Sequence, residues 1–322
     1  MTDQAKSPQH SFSRVSCVEE TVDSCDCTST LRVKIWVPVD VEPKGIVQLV
    51  HGMAEHIDRY GEFASFLAQR GFVVVGHDHI GHGKSAEDEK DLGVMPLFGG
   101  KEILVADTHR VRLLIQSCYE DIPYFIFGHS MGSFVLRCYL TQYAEGLAGA
   151  IICGTGNQPM LLSLFGCTLA RHMGFITGKE YKSPVLETII IGSFSLPFYD
   201  EPSKFAWISS DPSVVSAYEK DPLSGIMFST GGFATLTCLS ATASLPHTYD
   251  ISSELPLLLV SGEEDSVGAF GRAPVHVAHE YTKHGVENVE SRVYPGMRHE
   301  VLNEPGKYRV YNDILDWLKG NL

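Results

Sequence analysis

Positive charge is in short supply in this sequence: 25 Lys and Arg stand against 39 Asp and Glu, a formal net charge of −14. That balance argues against nucleic acid as a partner and against electrostatic docking on anionic lipid. C-x-x-C spacing is also lacking. The eight cysteines are scattered, which favours free thiols in a reducing cytoplasm over a disulfide framework. Cys25 and Cys27 are expected in a hairpin turn between two N-terminal strands, as surface thiols. Met1 to Ser11 is polar and has no apolar centre, so neither a secretion signal nor an anchor is expected there. There is no internal repeat and no low-complexity tract. Two stretches lack charge altogether, Gly146 to Ala170 and Pro222 to Tyr249. The first is broken by Gly154-Thr155-Gly156-Asn157-Gln158-Pro159 and the second holds nine Ser and Thr, so neither supplies the ~20 mostly apolar residues of a membrane span.

What the sequence does contain is Gly128-His129-Ser130-Met131-Gly132, directly after the aromatic and β-branched run Tyr124-Phe125-Ile126-Phe127. The run reads as a buried strand. Met131 to Tyr143 carries apolar residues at helical spacing with no breaker after Gly132, so a strand, a sharp turn and a helix follow one another. This is the setting of a nucleophile elbow, in which Ser130 is held in a strained backbone conformation and the flanking glycines avoid crowding it.

A serine needs a base, and the base needs an orienting carboxylate. Leu255-Pro256-Leu257-Leu258-Leu259-Val260-Ser261-Gly262 reads as a buried parallel strand. It delivers Glu263-Glu264-Asp265-Ser266 at its end. Asp265 is the candidate acid, because a short carboxylate suits imidazole Nδ1; Glu263 and Glu264 are the alternatives. Val289 to Tyr294 alternates like a strand, and the turn Pro295-Gly296-Met297-Arg298-His299 follows it, making His299 the candidate base. His276, His279 and His284 fall in an expected helix, Arg272 to His284, and lack that loop placement. An oxyanion needs two backbone N–H donors. Met131 offers one, and Met53, after the strand Gly45 to Val50 and the bend at Gly52, offers the other.

The motifs HGMAEH (51–56), Arg59-Tyr60, DHIGHGKS (78–85), GHSMGS (128–133), SGEEDSVG (261–268) and YPGMRHEVLNE (294–304) together resemble the monoacylglycerol lipase and lysophospholipase-like branch of the α/β-hydrolases, of the serine-aminopeptidase, hydrolase-4 type. The resemblance spans Phe12 to Leu318. It implies Ser130 as nucleophile, Asp265 as acid, His299 as base, and Met53 and Met131 as oxyanion donors. It also implies that Glu55 and Arg59 lie near the glycerol end of a substrate. Leu302 stands where those lipases carry a further histidine, a departure that bears on glycerol-ester specificity and leaves the hydrolase chemistry intact.

Strand and helix alternation over the core, with helices expected over Asp58 to Arg70 and Pro305 to Leu318, predicts an α/β fold, a mostly parallel twisted sheet flanked by helices. The alternation lapses over residues 154–240, where five Lys or Arg and seven Asp or Glu are the only charges among 87 residues. This segment is expected to be a largely helical cap inserted between core parts 1–153 and 241–322, with apolar surface from Met160 to Ala170, Val185 to Phe198 and Ile226 to Leu239. His77-Asp78-His79 with His82, His51 and His56 resembles a ligand cluster, but the Gly-rich spacing favours turn-forming roles. No metal and no cofactor are expected. The expected activity is that of a cytoplasmic serine esterase on single-chain acyl esters, with transient contact between cap and lipid. An aminopeptidase or amidase is the runner-up, and a non-catalytic ligand receptor on the same fold has no need of the three catalytic groups.

Overall fold

The computed structural model describes residues 13–322; the expectation for residues 1–11 lies outside the described residues. The hairpin β1 (Val15–Asp23) and β2 (Thr30–Pro38) comes first, with Cys25 and Cys27 in its turn as free thiols. Alternation follows: β3 (Gly45–Val50), α1 (Gly61–Ala68), β4 (Phe72–His77), α2 (Gly100–Gln116), β5 (Tyr124–His129), α3 (Met131–Tyr143) and β6 (Gly149–Cys153). Five helices then intervene, namely α4 (Met160–Thr177), α5 (Pro184–Ile190), α6 (Gly192–Ser195), α7 (Pro212–Lys220) and α8 (Thr230–Ala243). The chain closes with β7 (Leu257–Gly262), α9 (Arg272–Lys283), β8 (Val289–Tyr294) and α10 (Lys307–Gly320). The eight strands form one sheet in the order β1-β2-β4-β3-β5-β6-β7-β8, parallel from β4 to β8.

Both faces of this sheet are covered, which is why its central strands read as continuous apolar runs. In β5, Tyr124 and Ile126 join a core with Leu104 and Val111 of α2 and Leu136 of α3. Phe125 and Phe127 point the other way, into a core with Phe63 of α1 and Tyr311 and Trp317 of α10. Register then fixes where the loops emerge. Val50 pairs with Gly128, His129 with Cys153 and Gly262 with Tyr294. The loops after β3, β5, β6, β7 and β8 therefore open on one edge, at the carboxyl ends of parallel strands, where open α/β sheets bind their ligands.

Helix ends differ from expectation for local reasons. The helix expected from Asp58 begins at Gly61, because Ile57–Tyr60 forms a tight 3-10 turn and Asp58 is drawn to Arg32 and Lys34. The one expected from Pro305 begins at Lys307, after Gly306 in the left-handed region at φ 82°. The expected cap boundary at residue 240 falls inside α8. The first charge-free stretch is interrupted at Gly154 to Pro159, as expected, but α4 after it is an unbroken helix of 18 residues, long and apolar enough by length and composition to cross a membrane. Its small residues Ser163, Gly166, Cys167, Ala170 and Gly174 are buried against α8, while Leu161, Leu162 and Phe165 are exposed.

Arg137 of α3 ties the helical segment to the core at both ends. Fully buried, it donates to Gly156 O at 3.2 Å, to Ala243 O and to Tyr249 Oη at 3.0 Å. Removing it strands two buried carbonyls, so Arg137→Met is expected to cost about 2–4 kcal/mol. Urea unfolding of the variant checks this, and a loss within experimental error would mean the two junctions hold without it.

Candidate active site

Strand β5 delivers Ser130 at φ 52°, ψ −118°, a left-handed conformation that a non-glycine residue adopts only under constraint. The constraint is visible. Ser130 N–H donates to Cys153 O at 3.0 Å, and Ser133 N–H to Ser130 O at 2.9 Å. A Cβ on Gly132 would lie 2.1 Å from Val50 O, and one on Gly128 would lie 2.4 Å from Gly132 O. Both positions of the G-x-S-x-G sequence thus require glycine for close backbone approach, and Gly128 and Gly132 themselves do not use positive φ.

Ser130 opens into a cavity of about 310 Å³, whose lining also includes Met53, Met131 and His299. Asp265 and His299 meet across the ends of β7 and β8. His299 Nδ1 lies 2.9 Å from Asp265 Oδ1, and both residues are buried. Asp265 Oδ1 also accepts from Val267 N–H at 2.9 Å, and Oδ2 from Ser261 Oγ at 3.0 Å. Burial opposes the charge on Asp265, but His299 and these donors outweigh it and hold the carboxyl below the usual range. Burial likewise opposes protonation of His299, and Asp265 outweighs it, raising the imidazole above its ordinary value. His299 Nε2 is buried without a hydrogen-bond partner among the described residues, as a ring nitrogen awaiting a substrate or nucleophile proton would be. Glu263 and Glu264 are not so placed: Glu263 accepts from Gly296 N–H at 3.3 Å, and Glu264 lies 3.7 Å from Arg298.

The loop after β3 passes directly against the serine. A Cβ on Gly52 would sit 3.1 Å from Ser130 Cβ and 2.6 Å from Glu55 Oε1. Glu55 Oε1 accepts from Gly52 N–H at 2.6 Å and from Tyr60 Oη at 2.7 Å. Glu55 lines the cavity and Arg59 does not. The Arg59 guanidinium is taken up by Glu55 Oε2 at 2.7 Å and by both oxygens of Glu300 at 2.7 and 2.6 Å. Burial lifts the Glu55 carboxyl above the ordinary range. It acts on Glu300 too, but the two-pronged contact with Arg59 prevails and holds that carboxyl low. Glu300, beside the candidate base, was not singled out by the sequence reading; its position after His299 was the only signal.

Four further residues, Trp207, Ile208, Tyr218 and Gly225, were missed because they come from the helical segment. His299 N–H donates to Trp207 O at 3.4 Å and Glu300 N–H to Ile208 O at 2.7 Å, and the Trp207 ring lies 5.1 Å from that of His299. Tyr218 Oη and Gly225 N–H both donate to Ala54 O at 2.9 Å. His129 packs on His299 with ring centroids 4.7 Å apart, and burial pushes its pKa down to about 3.

The histidine-rich loops organise the backbone. Asp78 accepts from Ile57 N–H at 2.8 Å and Lys84 N–H at 2.9 Å, and His51 Nε2 accepts from His79 N–H at 3.0 Å. Burial pushes His77 and His82 down to about 4, so these rings are neutral packing groups. Among the described residues no group of three or more His, Cys, Asp or Glu is arranged to hold a metal ion.

The sequence profile described as "Serine aminopeptidase, S33" matches residues 41–306. A monoacylglycerol lipase of Mycolicibacterium smegmatis is 27% identical over 316 residues, 98% of each chain. The monoglyceride lipase of Homo sapiens is 26% identical over 73% of this chain and 69% of its own. A thermostable carboxyl esterase from Bacillus coagulans, solved in complex with glycerol, superposes with a TM-score of 0.88 at 28% identity, covering 95% of this chain and 98% of its own. With the sheet, the elbow and the paired Asp265 and His299 in view, the match decides the classification: the chain belongs to the serine aminopeptidase, S33 family of α/β-hydrolases and is a serine hydrolase.

Proposed function

We propose that this protein is an ester hydrolase acting on single-chain acyl esters, such as monoacylglycerols, lysophospholipids or short- and medium-chain esters, through an acyl-enzyme on Ser130. His299 takes the serine proton as Ser130 attacks the ester carbonyl, and Asp265 orients the ring and stabilises its cation. The oxyanion rests on the N–H groups of Met53 and Met131, each such donor being worth about 3–4 kcal/mol. His299 returns the proton to the leaving alcohol. Water then enters, activated by the same imidazole, and releases the acid. Glu55 and Arg59 act in this reading as positioning residues: Glu55 holds Gly52, hence the Met53 turn, and Arg59 ties Glu55 to Glu300 beside the base.

One observation carries the choice of substrate. The cavity that contains Ser130 and His299 is walled by Phe134, Leu162, Phe165, Ile190, Ile226 and Phe228, side chains suited to an acyl chain whose burial contributes about 0.8 kcal/mol per CH₂. An aminopeptidase would need a free carboxylate for the substrate ammonium. Glu55, Glu187 and Glu300 line the cavity, and each already faces a cation: Arg59 for Glu55 and Glu300, and Lys204 at 3.8 Å for Glu187.

Residues 154–240 act as the cap, between core parts 1–153 and 241–322. The cap's exposed face, with Leu161, Phe165, Phe175, Ile176 and Leu196, suits transient contact with a lipid surface from which such substrates come. Eight free thiols suit a reducing cytoplasm.

A fluorophosphonate probe is expected to label wild type and not Ser130→Ala, whose kcat should fall by at least about 10³ with the fold retained. Labelling of the variant at the wild-type rate would remove Ser130 from this role. In a p-nitrophenyl ester series, kcat/KM is expected to rise roughly two- to fourfold per added CH₂ while the chain stays buried; faster cleavage of an alanyl or prolyl anilide than of any ester would favour the peptidase reading. The pH profile follows from the raised His299. Only the neutral ring accepts the serine proton, so a pKa above the ordinary ~6.5 moves the rising limb of the acylation rate to higher pH. Asp265→Asn removes the main raising influence while burial remains, so its limb should lie at lower pH than that of wild type. Burst-phase acylation measured across pH checks the direction, and a variant limb unmoved or higher would separate Asp265 from the base.

A further inference from the structure

Behind the cavity wall, between α4 and α8, lies a pair of sulfurs that hydrolysis does not use. Helices α4 and α8 run antiparallel and unusually close. Ser163 Oγ lies 3.0 Å from Ser240 Oγ, a Cβ on Gly166 would stand 3.1 Å from Thr237 Cγ2, and one on Gly174 would stand 2.9 Å from Thr230 Oγ1. Glycine, serine and threonine at the seam let the two backbones approach, and midway along it Cys167 Sγ lies 2.8 Å from Cys238 Sγ. An Arg171 nitrogen lies 3.2 Å from Cys238 Sγ.

We propose that Cys167 and Cys238 are a peroxide-responsive dithiol that closes reversibly to a disulfide and pins α4 to α8. A disulfide requires Cα atoms within about 7 Å and Cβ vectors that converge; the small-residue seam brings the helices together and the two thiols already face each other. Three features assign the first step to Cys238. It is half-buried whereas Cys167 is 2% exposed. The Cys167 thiol hydrogen-bonds to it and lowers its pKa, and Arg171 adds to that effect. Thiolates are the reactive species toward peroxides.

The Cys238 thiolate attacks one oxygen of hydrogen peroxide; the O–O bond breaks, the second oxygen leaves as hydroxide and takes up a proton to become water, and Cys238 becomes a sulfenic acid. Cys167 sulfur then attacks Cys238 sulfur; the S–O bond breaks and the oxygen leaves as water with the Cys167 proton. Two thiols and one peroxide give one disulfide and two waters, with two electrons passing from sulfur to peroxide. A dithiol reductant reverses the bond by exchange. Since Ser163, Gly166, Thr237 and Ser240 of the same two helices line the cavity, the bond would fix part of its wall.

The test treats the whole protein with a small excess of hydrogen peroxide, blocks remaining thiols with N-ethylmaleimide, and maps peptides without reductant. Wild type is expected to lose about 2 Da before blocking, to yield one linked peptide containing Cys167 and Cys238, and to recover free thiols in dithiothreitol. The bond closes a loop of about 70 residues, so oxidised wild type should melt about 4 °C or more above the reduced protein. Cys167→Ser should stop at the sulfenic acid on Cys238, trapped by dimedone, with no rise in Tm. Accumulation of sulfenic or sulfinic acid on Cys238 of wild type without the linked peptide would overturn the proposal, as would linkage of either cysteine to a different partner. A linked peptide with unchanged Tm would overturn the pinning of α4 to α8.

Discussion

The arrangement of the site depends on one close approach: the first turn of α3 lies so near the end of β3 that a single Cβ at Gly132 would sit 2.1 Å from Val50 O. Everything at Ser130 follows from it. Because α3 starts against β3, the chain leaving β5 has only Ser130 in which to reverse, and Ser130 takes the strained φ of 52°. Because β3 ends there, the loop carrying Gly52 and Met53 emerges beside the serine. The strain costs on the order of 1–3 kcal/mol and is opposed by hydrogen bonds from a third strand, through Cys153 O, and from the first turn of the helix. A larger side chain at Gly128 or Gly132 would therefore separate the serine from the neighbouring loop and disturb the turn as well.

Buried charge links the loops that backbone packing brings together. Removing ionised groups from water is costly unless each finds a close partner, and here every buried carboxylate at the site has one. Asp265 and His299 form one pair. Glu55, Arg59 and Glu300 form a chain that reaches from the Gly52 N–H to the residue next to His299. The result is electrostatic asymmetry with a use: three carboxylates stand close to His299 and favour its cation, while His129, packed against it at a tilt of 45°, is kept neutral by burial. The proposed base and a ring that only packs are thus separated by their surroundings.

How much of this was legible in the sequence divides along contact order. Strands of the sheet, the helices of the core and the meeting of Asp265 with His299 could be read because each rests on a local pattern: an apolar run, a period, or a turn at a strand end. Helix α3 was read to the residue, since Gly132 and the apolar spacing up to Tyr143 mark both its limits. Glu300, Trp207 and Tyr218 could not be read that way. Their roles arise from contacts across 90 or more residues of chain, and nothing in the sequence near Trp207 signals that its carbonyl will accept from His299 N–H. Arg59 shows the same limit in another form: the resemblance put it near the glycerol end of a substrate, and nothing local signals that Glu55 and Glu300 take up its guanidinium.

The helical segment between β6 and β7 is consequently more than a cover. Trp207 and Ile208 hold the backbone of His299 and Glu300, Tyr218 and Gly225 hold Ala54 in the loop after β3, and Asp221 bonds His56 at 2.6 Å. It therefore touches both the loop that would receive negative charge and the loop that carries the proposed base. Specificity and chemistry cannot vary independently in such a design. On the proposed reading, a substitution on the apolar wall of α4 alters the acyl chain accepted while leaving the geometry of Asp265 and His299 in place. One in the stretch from Ala206 to Gly225 acts on both at once, because the backbone that shapes the cavity is the backbone that positions Ala54 and His299.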